Sequence, residues 1–532
     1  MQESRRDFVG QSAGLLFSLT ALAPAWAQPA ARQGGTVTLA SQTMRTLNSA
    51  IQSGNATGVP ATQIFAGLVQ LDSRFKPQPY LARSWEVSPD GLVVRFKLVE
   101  GATFHDGRPI RARDVAFSIE TVKASHPLMS VTYSAVLESV RAVDDLTVEI
   151  RLKHPFQGLF GVLTPALTPI IPEHVYGPAN GPIQTNPANA KPVGSGPFRF
   201  VEWKAGEYVI LERNPHFFRP NRPYLERVVL KIAEDSLSRR LMLERGDIDY
   251  LPFSFLRIPD MVSLRSNPNM VTVRSGYEAL GPVAYLEMNL RQAPLNDLRV
   301  RQAIAHAIDK DFIVKTLHHK LSKRLDGPLH SGNEYFDAKA VTVYPTDLAK
   351  ANALLDAAGH LRKAEGTRFA LTLDIPTFDP DSMSLVAEYL RSQLRRVGID
   401  ITLRMSTDLA DWSNKVGQWN YQLTMNSTWN WSDPLVGVHR SFLSSNIKKV
   451  AWSNTGGYSN PKVDDLLDRA AVEPDPGRRR ALYADFQKTV TADLPLIWTN
   501  ESIYVTFHHK RVKNVPNGVF GALAPFDEIV VA

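Results

Sequence analysis

Two pairs of adjacent histidines, His318-His319 and His508-His509, and one glycine-rich turn, Gly194-Ser195-Gly196-Pro197, are of types that could do chemistry: the histidines by holding a metal, the turn by cradling a phosphate. Their spacing argues against both. Neighbouring side chains leave a helix or a strand in different directions, so neither histidine pair makes a chelate alone, and exposed histidines are expected. Pro197 and Phe198 after the turn make it a lead into a strand rather than a phosphate loop. H-E-x-x-H, G-x-x-x-x-G-K-[ST] and C-x-x-C are all missing. The chain has no Cys, which excludes disulfides, thiolate zinc sites, cysteine nucleophiles and a lipidated N-terminal Cys. No cofactor or metal is expected, and a hydrolase built from dispersed residues has no positive support.

The elements that position side chains come next. The chain has 532 residues, 44% hydrophobic and 21% charged, enough apolar material for roughly three domains. Its 60 Lys and Arg against 53 Asp and Glu leave a formal charge of +7. Those charges are dispersed: the densest runs, Arg111-Ala112-Arg113 and Arg478-Arg479-Arg480, fall on expected helices and read as solvated faces, so nucleic acid is not an expected partner. Gly35 to Ala40 alternates like a strand, and Asn48 to Gly58 is a polar loop. Ile64, Phe65, Leu68 and Val69 repeat at helical spacing, and Val115, Ala116, Ile119 and Val122 form another helix face. The turn Ser88-Pro89-Asp90-Gly91 precedes a strand at Leu92 to Leu98. The clearest α/β region is a strand at Phe369 to Ile375, a helix from Ser382 to Val397 stopped by Gly398, and a strand at Ile399 to Leu403. Thr346 caps a further helix that ends at Gly359.

Residues 1–27 read as an export signal. Ser4-Arg5-Arg6-Asp7-Phe8-Val9 is a twin-arginine pattern, Ala13 to Ala23 a weakly apolar run, and Ala25-Trp26-Ala27 a small-x-small cleavage site. The apolar run is too short to span a bilayer, so the expected product is exported, soluble and periplasmic.

A longer set of ordered blocks points to a family. They begin with Pro79-Tyr80-Leu81-Ala82-Arg83-Ser84-Trp85-Glu86-Val87-Ser88-Pro89-Asp90-Gly91 and Gly101-Ala102-Thr103-Phe104-His105-Asp106-Gly107-Arg108-Pro109. Gly194-Ser195-Gly196-Pro197-Phe198, Arg213-Asn214-Pro215, Gly246-Asp247-Ile248-Asp249, Arg299 to Asp309 and Tyr458 to Asp464 follow in order. This pattern resembles the family 5 extracellular solute-binding proteins of ABC importers, the peptide, opine and nickel class. Most of the blocks read as scaffold: Trp85 as a core plug, His105 as a turn residue.

The resemblance implies a periplasmic-binding-protein-like α/β fold, two lobes joined by a two-strand hinge, with an extra inserted domain. Mapped here, the first lobe comprises 34–65, 186–275 and 500–532, the insertion 66–185 and the second lobe 276–499. The chain crosses between lobes near Ser275 to Leu280 and near Trp498 to Glu501. It also implies a monomeric receptor that performs no covalent chemistry, captures a peptide-like ligand by hinge closure and delivers it to an ABC permease in the inner membrane. An oligosaccharide, an opine or a metal chelate is the alternative ligand on the same scaffold, and a secreted hydrolase the alternative of a different class.

Within that frame the block Thr428-Trp429-Asn430-Trp431-Ser432-Asp433-Pro434 carries the first candidate site. The resemblance implies that Asp433 pairs with a peptide's α-amino group while Trp429 and Trp431 pack on the ligand. The competing reading has Asp433 capping the next helix and both tryptophans in the core. From the opposite lobe, Asn55 and Thr57 are expected to reach the cleft, with Tyr285 and Asn289 as further candidates on an alternating segment. Dipeptide-binding relatives place an Arg after the strand matching Phe369 to Ile375, where this chain reads Pro376-Thr377-Phe378. Arg404 could substitute or form a salt bridge. For a nickel chelate, His439 is the one histidine near the block.

Overall fold

The computed structural model describes residues 33–532; the export signal read at 1–27 lies outside the described residues. In Thr36–Ser41, Val37 and Leu39 are fully buried while Thr36 is exposed, the alternation of a strand with one face inward. This strand pairs in parallel with Arg227–Ile232. Around them runs a seven-stranded sheet ordered Met270–Val273, Thr506–His509, Tyr250–Leu251, Thr36–Ser41, Arg227–Ile232, Tyr208–Arg213, Phe198–Lys204.

A second, five-stranded sheet is ordered Ile399–Met405, Phe369–Ile375, Leu423–Trp429, Pro282–Met288, Leu496–Glu501. Its logic is plainest where Phe369–Ile375 and Ile399–Met405 pair in parallel across the helix Pro380–Arg396. That helix buries Met383, Val386, Ala387, Leu390 and Leu394, a single apolar stripe. Arg395 and Arg396 suit its last turn, and Gly398, at φ +84, turns the chain back into the sheet. Helices cover both faces: Leu298–Ala307 and Pro380–Arg396 on one, Pro461–Val472 and Pro476–Asp493 on the other. Every residue of the central strand Pro282–Met288 is therefore buried.

The inserted domain carries a four-stranded antiparallel sheet, Ala82–Val87, Val93–Leu98, Thr147–Leu152 and Leu137–Ala142 in spatial order. The helix Ala112–Ser125 packs on it through Val115, Ile119 and Val122. Gly91, at φ +69, and the Asp90 carboxylate, which accepts the Leu92 N–H at 3.0 Å, make the expected tight turn. The turn Gly194-Ser195-Gly196 is a close backbone approach. The Gly196 N–H donates to the Ile64 carbonyl at 2.7 Å, and a β-carbon on either glycine would collide with the 63–64 backbone. The His105 ring bridges to this turn through the Gly196 carbonyl at 3.1 Å.

The two large sheets are joined by 274–281 and 502–505. The second crossing lies beyond Trp498 to Glu501, because that strand continues through Glu501 in the second lobe. The inserted domain also touches the second lobe directly, just beyond Trp431. A β-carbon on Gly158 would lie 2.7 Å from Asp433 Cβ, and one on Gly161 would overlap Ser432 Oγ.

Three local expectations change. The helix sought at Ile64 to Val69 lies earlier, at Asn55–Ile64, and Val69–Leu71 is a strand. Asp347, not Thr346, caps the helix Leu348–Ala357, its side chain accepting the Lys350 N–H. Arg479, read as part of a solvated run, is 1% exposed, because Tyr335 and Tyr483 flank its guanidinium with centroids at 4.9 and 5.4 Å.

Candidate functional site

Between the sheets lies a cavity of about 640 Å³, within the size range of small-ligand sites. Each domain contributes to its wall. The first lobe supplies the segment after its central strand and Phe255, the inserted domain supplies Leu128, the second lobe supplies Asp379, Trp429, Trp431 and Arg440, and the second crossing supplies Tyr504. These residues sit where strands end and loops begin, so a rigid scaffold aims them.

The tryptophan corner is built by backbone pairing. Trp431 N–H donates to the Leu280 carbonyl at 3.0 Å and Asn430 N–H to Gly281 at 3.1 Å, tying the corner to the first crossing. Trp431 adopts φ +56, a left-handed conformation costly for a bulky residue. Its ring meets Trp429 edge to face, centroids 5.2 Å apart and planes at 79°. Trp429 Nε1 donates to Tyr504 Oη at 2.8 Å, and the Tyr504 ring packs in turn on Phe253, Phe255 and Tyr277. Phe378 opens a second aromatic patch, edge to face with Trp412 and tilted against Trp452. Burial pushes the Tyr504 phenol well above its ordinary range, so it stays a neutral donor and acceptor.

The structure separates the expected site residues. Trp429 and Trp431 line the cavity, as do Asn55 and Thr57. The Thr57 hydroxyl is already used, donating to the Thr46 carbonyl at 3.0 Å. Asp433 is 3% exposed and does not line the cavity; Arg479 grips its carboxylate through both terminal nitrogens at 2.8 and 3.0 Å, and it caps Leu435 N–H at 2.9 Å. An amine-binding role for Asp433 is therefore withdrawn, since the carboxylate already has a buried guanidinium.

Tyr285 and Asn289 are also scaffold. Alternation suggested a half-buried strand, but both faces of Pro282–Met288 are covered and Tyr285 packs with Trp498 and Phe442. Asn289 donates to the Trp419 and Tyr421 carbonyls, both at 3.0 Å. Arg404 clamps the fully buried Asp374 at 3.0 and 2.6 Å and does not reach the cavity. His318 and His508 are buried rather than exposed, His318 bonding Ser322 Oγ at 2.8 Å. His439 is held against Tyr483 Oη at 3.0 Å, and burial pushes its imidazole down to about 3. Among the described residues no group of three or more His, Cys, Asp or Glu is placed to hold a metal ion.

Two charged residues were missed. Asp379 precedes Pro380 at the start of the helix Pro380–Arg396. Arg440 follows the short helix after Asp433; its Nε donates only to the Gly437 carbonyl, at 3.3 Å. Among the described residues neither makes an ion pair, and both line the cavity. Asp379 is partly accessible from the cavity yet densely surrounded by protein. Burial pushes its carboxyl up to about 6, with Asp381 adding to the rise and Ser382 opposing it. The sequence carries a signal for Asp379: an Asp-Pro pair that follows the strand Phe369–Ile375 and the aromatic Phe378.

Two α/β lobes, a pair of crossings and an aromatic cavity shared between the lobes define a ligand-capture protein. Residues 76–449 match the family described as bacterial extracellular solute-binding proteins, family 5 Middle. The chain belongs to this family, the solute-binding proteins of ABC importers, and is a binding protein rather than an enzyme. It is 31% identical over 448 residues to the probable D,D-dipeptide-binding periplasmic protein DdpA of Escherichia coli, covering 81% of each chain. It is 27% identical over 469 residues to the glutathione-binding protein GsiB of Pectobacterium atrosepticum, covering 85% of each. Among solved structures, NikZ from Campylobacter jejuni in complex with Ni(L-His) superposes with a TM-score of 0.79 at 25% identity, over 92% of this chain and 97% of that one. No helix among the described residues is long and apolar enough to cross a membrane.

Proposed function

We propose that this protein is a monomeric periplasmic receptor, exported by its 1–27 signal, that encloses a short peptide-like ligand between its lobes and delivers it to an ABC permease in the inner membrane. The observation that carries the reading is the cavity of about 640 Å³ whose wall combines both lobes, the insertion and the second crossing. A ligand there touches every part that moves when the lobes part, so its binding energy favours closure. Trp429 and Trp431 provide stiff apolar contact, and Asn55 offers a polar group from the facing lobe. Micromolar capture requires about −8 kcal/mol net, within reach of an enclosed aromatic site. Two relatives named for short peptides, glutathione and a D,D-dipeptide, support a peptide-like ligand over a sugar.

The test is native mass spectrometry of protein purified from a rich-medium host, followed by release and identification of whatever is bound. A ladder of short peptides is the expected result. A single sugar, opine or metal chelate would replace the ligand assignment, and turnover of a bound peptide would overturn the receptor reading.

A further inference from the structure

Opposite charges in one cavity normally pair with each other or with neighbours. Here the cavity wall holds Asp379 and Arg440, and among the described residues neither forms an ion pair, with the other or with any third group. Both stand on the second lobe, Asp379 after the strand Phe369–Ile375 and Arg440 in the short turn His439–Ser441. The surroundings differ. Asp379 follows Phe378, both line the cavity together with Tyr504, and the Asp379 charge helps raise the Tyr504 phenol, so a cation held at this carboxylate has aromatic neighbours. Arg440 lines the same cavity as Trp429 and Trp431, and a guanidinium takes a carboxylate through two donors at once.

We propose that Asp379 and Arg440 are the two poles of the binding cavity, Asp379 holding a protonated amine beside Phe378 and Tyr504 and Arg440 holding a carboxylate. The ligand class is then dipolar: a peptide or amino-acid derivative with both ends free. This assignment rests on the receptor reading above and adds to it which residue reads which end.

Blocked ligands test it on the unmodified protein. Pools of tripeptides with free ends, N-acetylated or C-amidated, compete for the purified protein by calorimetry. Acetylation is expected to weaken binding more than tenfold and amidation about tenfold. In D379N the preference for free over acetylated amines disappears, and in R440Q the preference for free over amidated carboxyls disappears. The pH profile separates a contact from a scaffold effect. The charged or titratable groups that share the cavity with Asp379 are Arg45 and Glu234 of the first lobe, Arg440, and Tyr504 on the crossing, and Asp381 lies beside it on its own helix. Burial pushes the Asp379 carboxyl up to about 6. Below that pH it must lose a proton to accept an ammonium, so affinity falls by up to tenfold per pH unit in the wild type and stays flat in D379N. Acetylated peptides binding as well as free ones, or D379N retaining the preference, would overturn the pole assignment and leave the receptor reading standing. If no pool binds the wild type, the peptide-like ligand assignment fails, and the pole assignment with it. If D379N does not fold, the blocked-ligand comparison on the wild type decides alone.

Discussion

Two Asp-Pro dipeptides follow neighbouring strands of the second sheet, Asp379-Pro380 after Phe369–Ile375 and Asp433-Pro434 after Leu423–Trp429, and each opens a helix. They have opposite surroundings. Asp433 is sealed, capped and gripped by Arg479, whereas Asp379 faces the cavity with no cation beside it. The comparison teaches that a local motif specifies a helix start but not an electrostatic role. That role depends on whether a distant element, here the helix Pro476–Asp493, delivers a counter-charge.

The comparison breaks most severely at the sealed corner. Asp433→Ala or Arg479→Met leaves one buried charge alone, and each is expected to cost about 3–5 kcal/mol of unfolding free energy in urea titrations. Replacing both together is expected to recover much of that loss, because no charge is stranded; an additive loss would refute the pairing argument. Next comes the aromatic wall. Trp429→Ala removes a ring that faces the cavity and donates to Tyr504, with an expected tenfold fall in ligand affinity, about 1.4 kcal/mol, read by calorimetry. The smallest effect has the opposite sign. The folded-state pKa of Asp379 is raised to about 6, so ionising it above that pH costs more in the folded than in the unfolded chain, and stability falls as pH rises from about 4 to 6. Asp379→Asn is therefore expected to raise stability at pH 8 by about 1 kcal/mol in the ligand-free protein, a gain that vanishes at pH 4. A destabilised variant at pH 8 would mean that Asp379 supports the fold.

Much of the scaffold was legible because its signals are local. The strand, helix and strand of 369–405 announce themselves by apolar spacing and by Gly398. The helix Asn55–Ile64 was not legible: it holds Gly58 and Pro60 and is buried from Thr57 onward, so no polar face marks its period. The same loss of contrast misled the reading of Tyr285 on a strand buried on both faces. In the candidate site, the resemblance singled out Trp429 and Trp431, and both line the cavity. Asp433 was misassigned because its partner, Arg479, sits on another helix within a run of three arginines that looked solvated.

The glycines at 158 and 161 bear on how long a ligand stays. They let the inserted domain lie directly against Ser432 and Asp433 of the second lobe, a contact separate from the two chain crossings. If the lobes part about the crossings as proposed, this contact has to give way with them, and the residence time of the ligand is then set partly by a contact that never touches it.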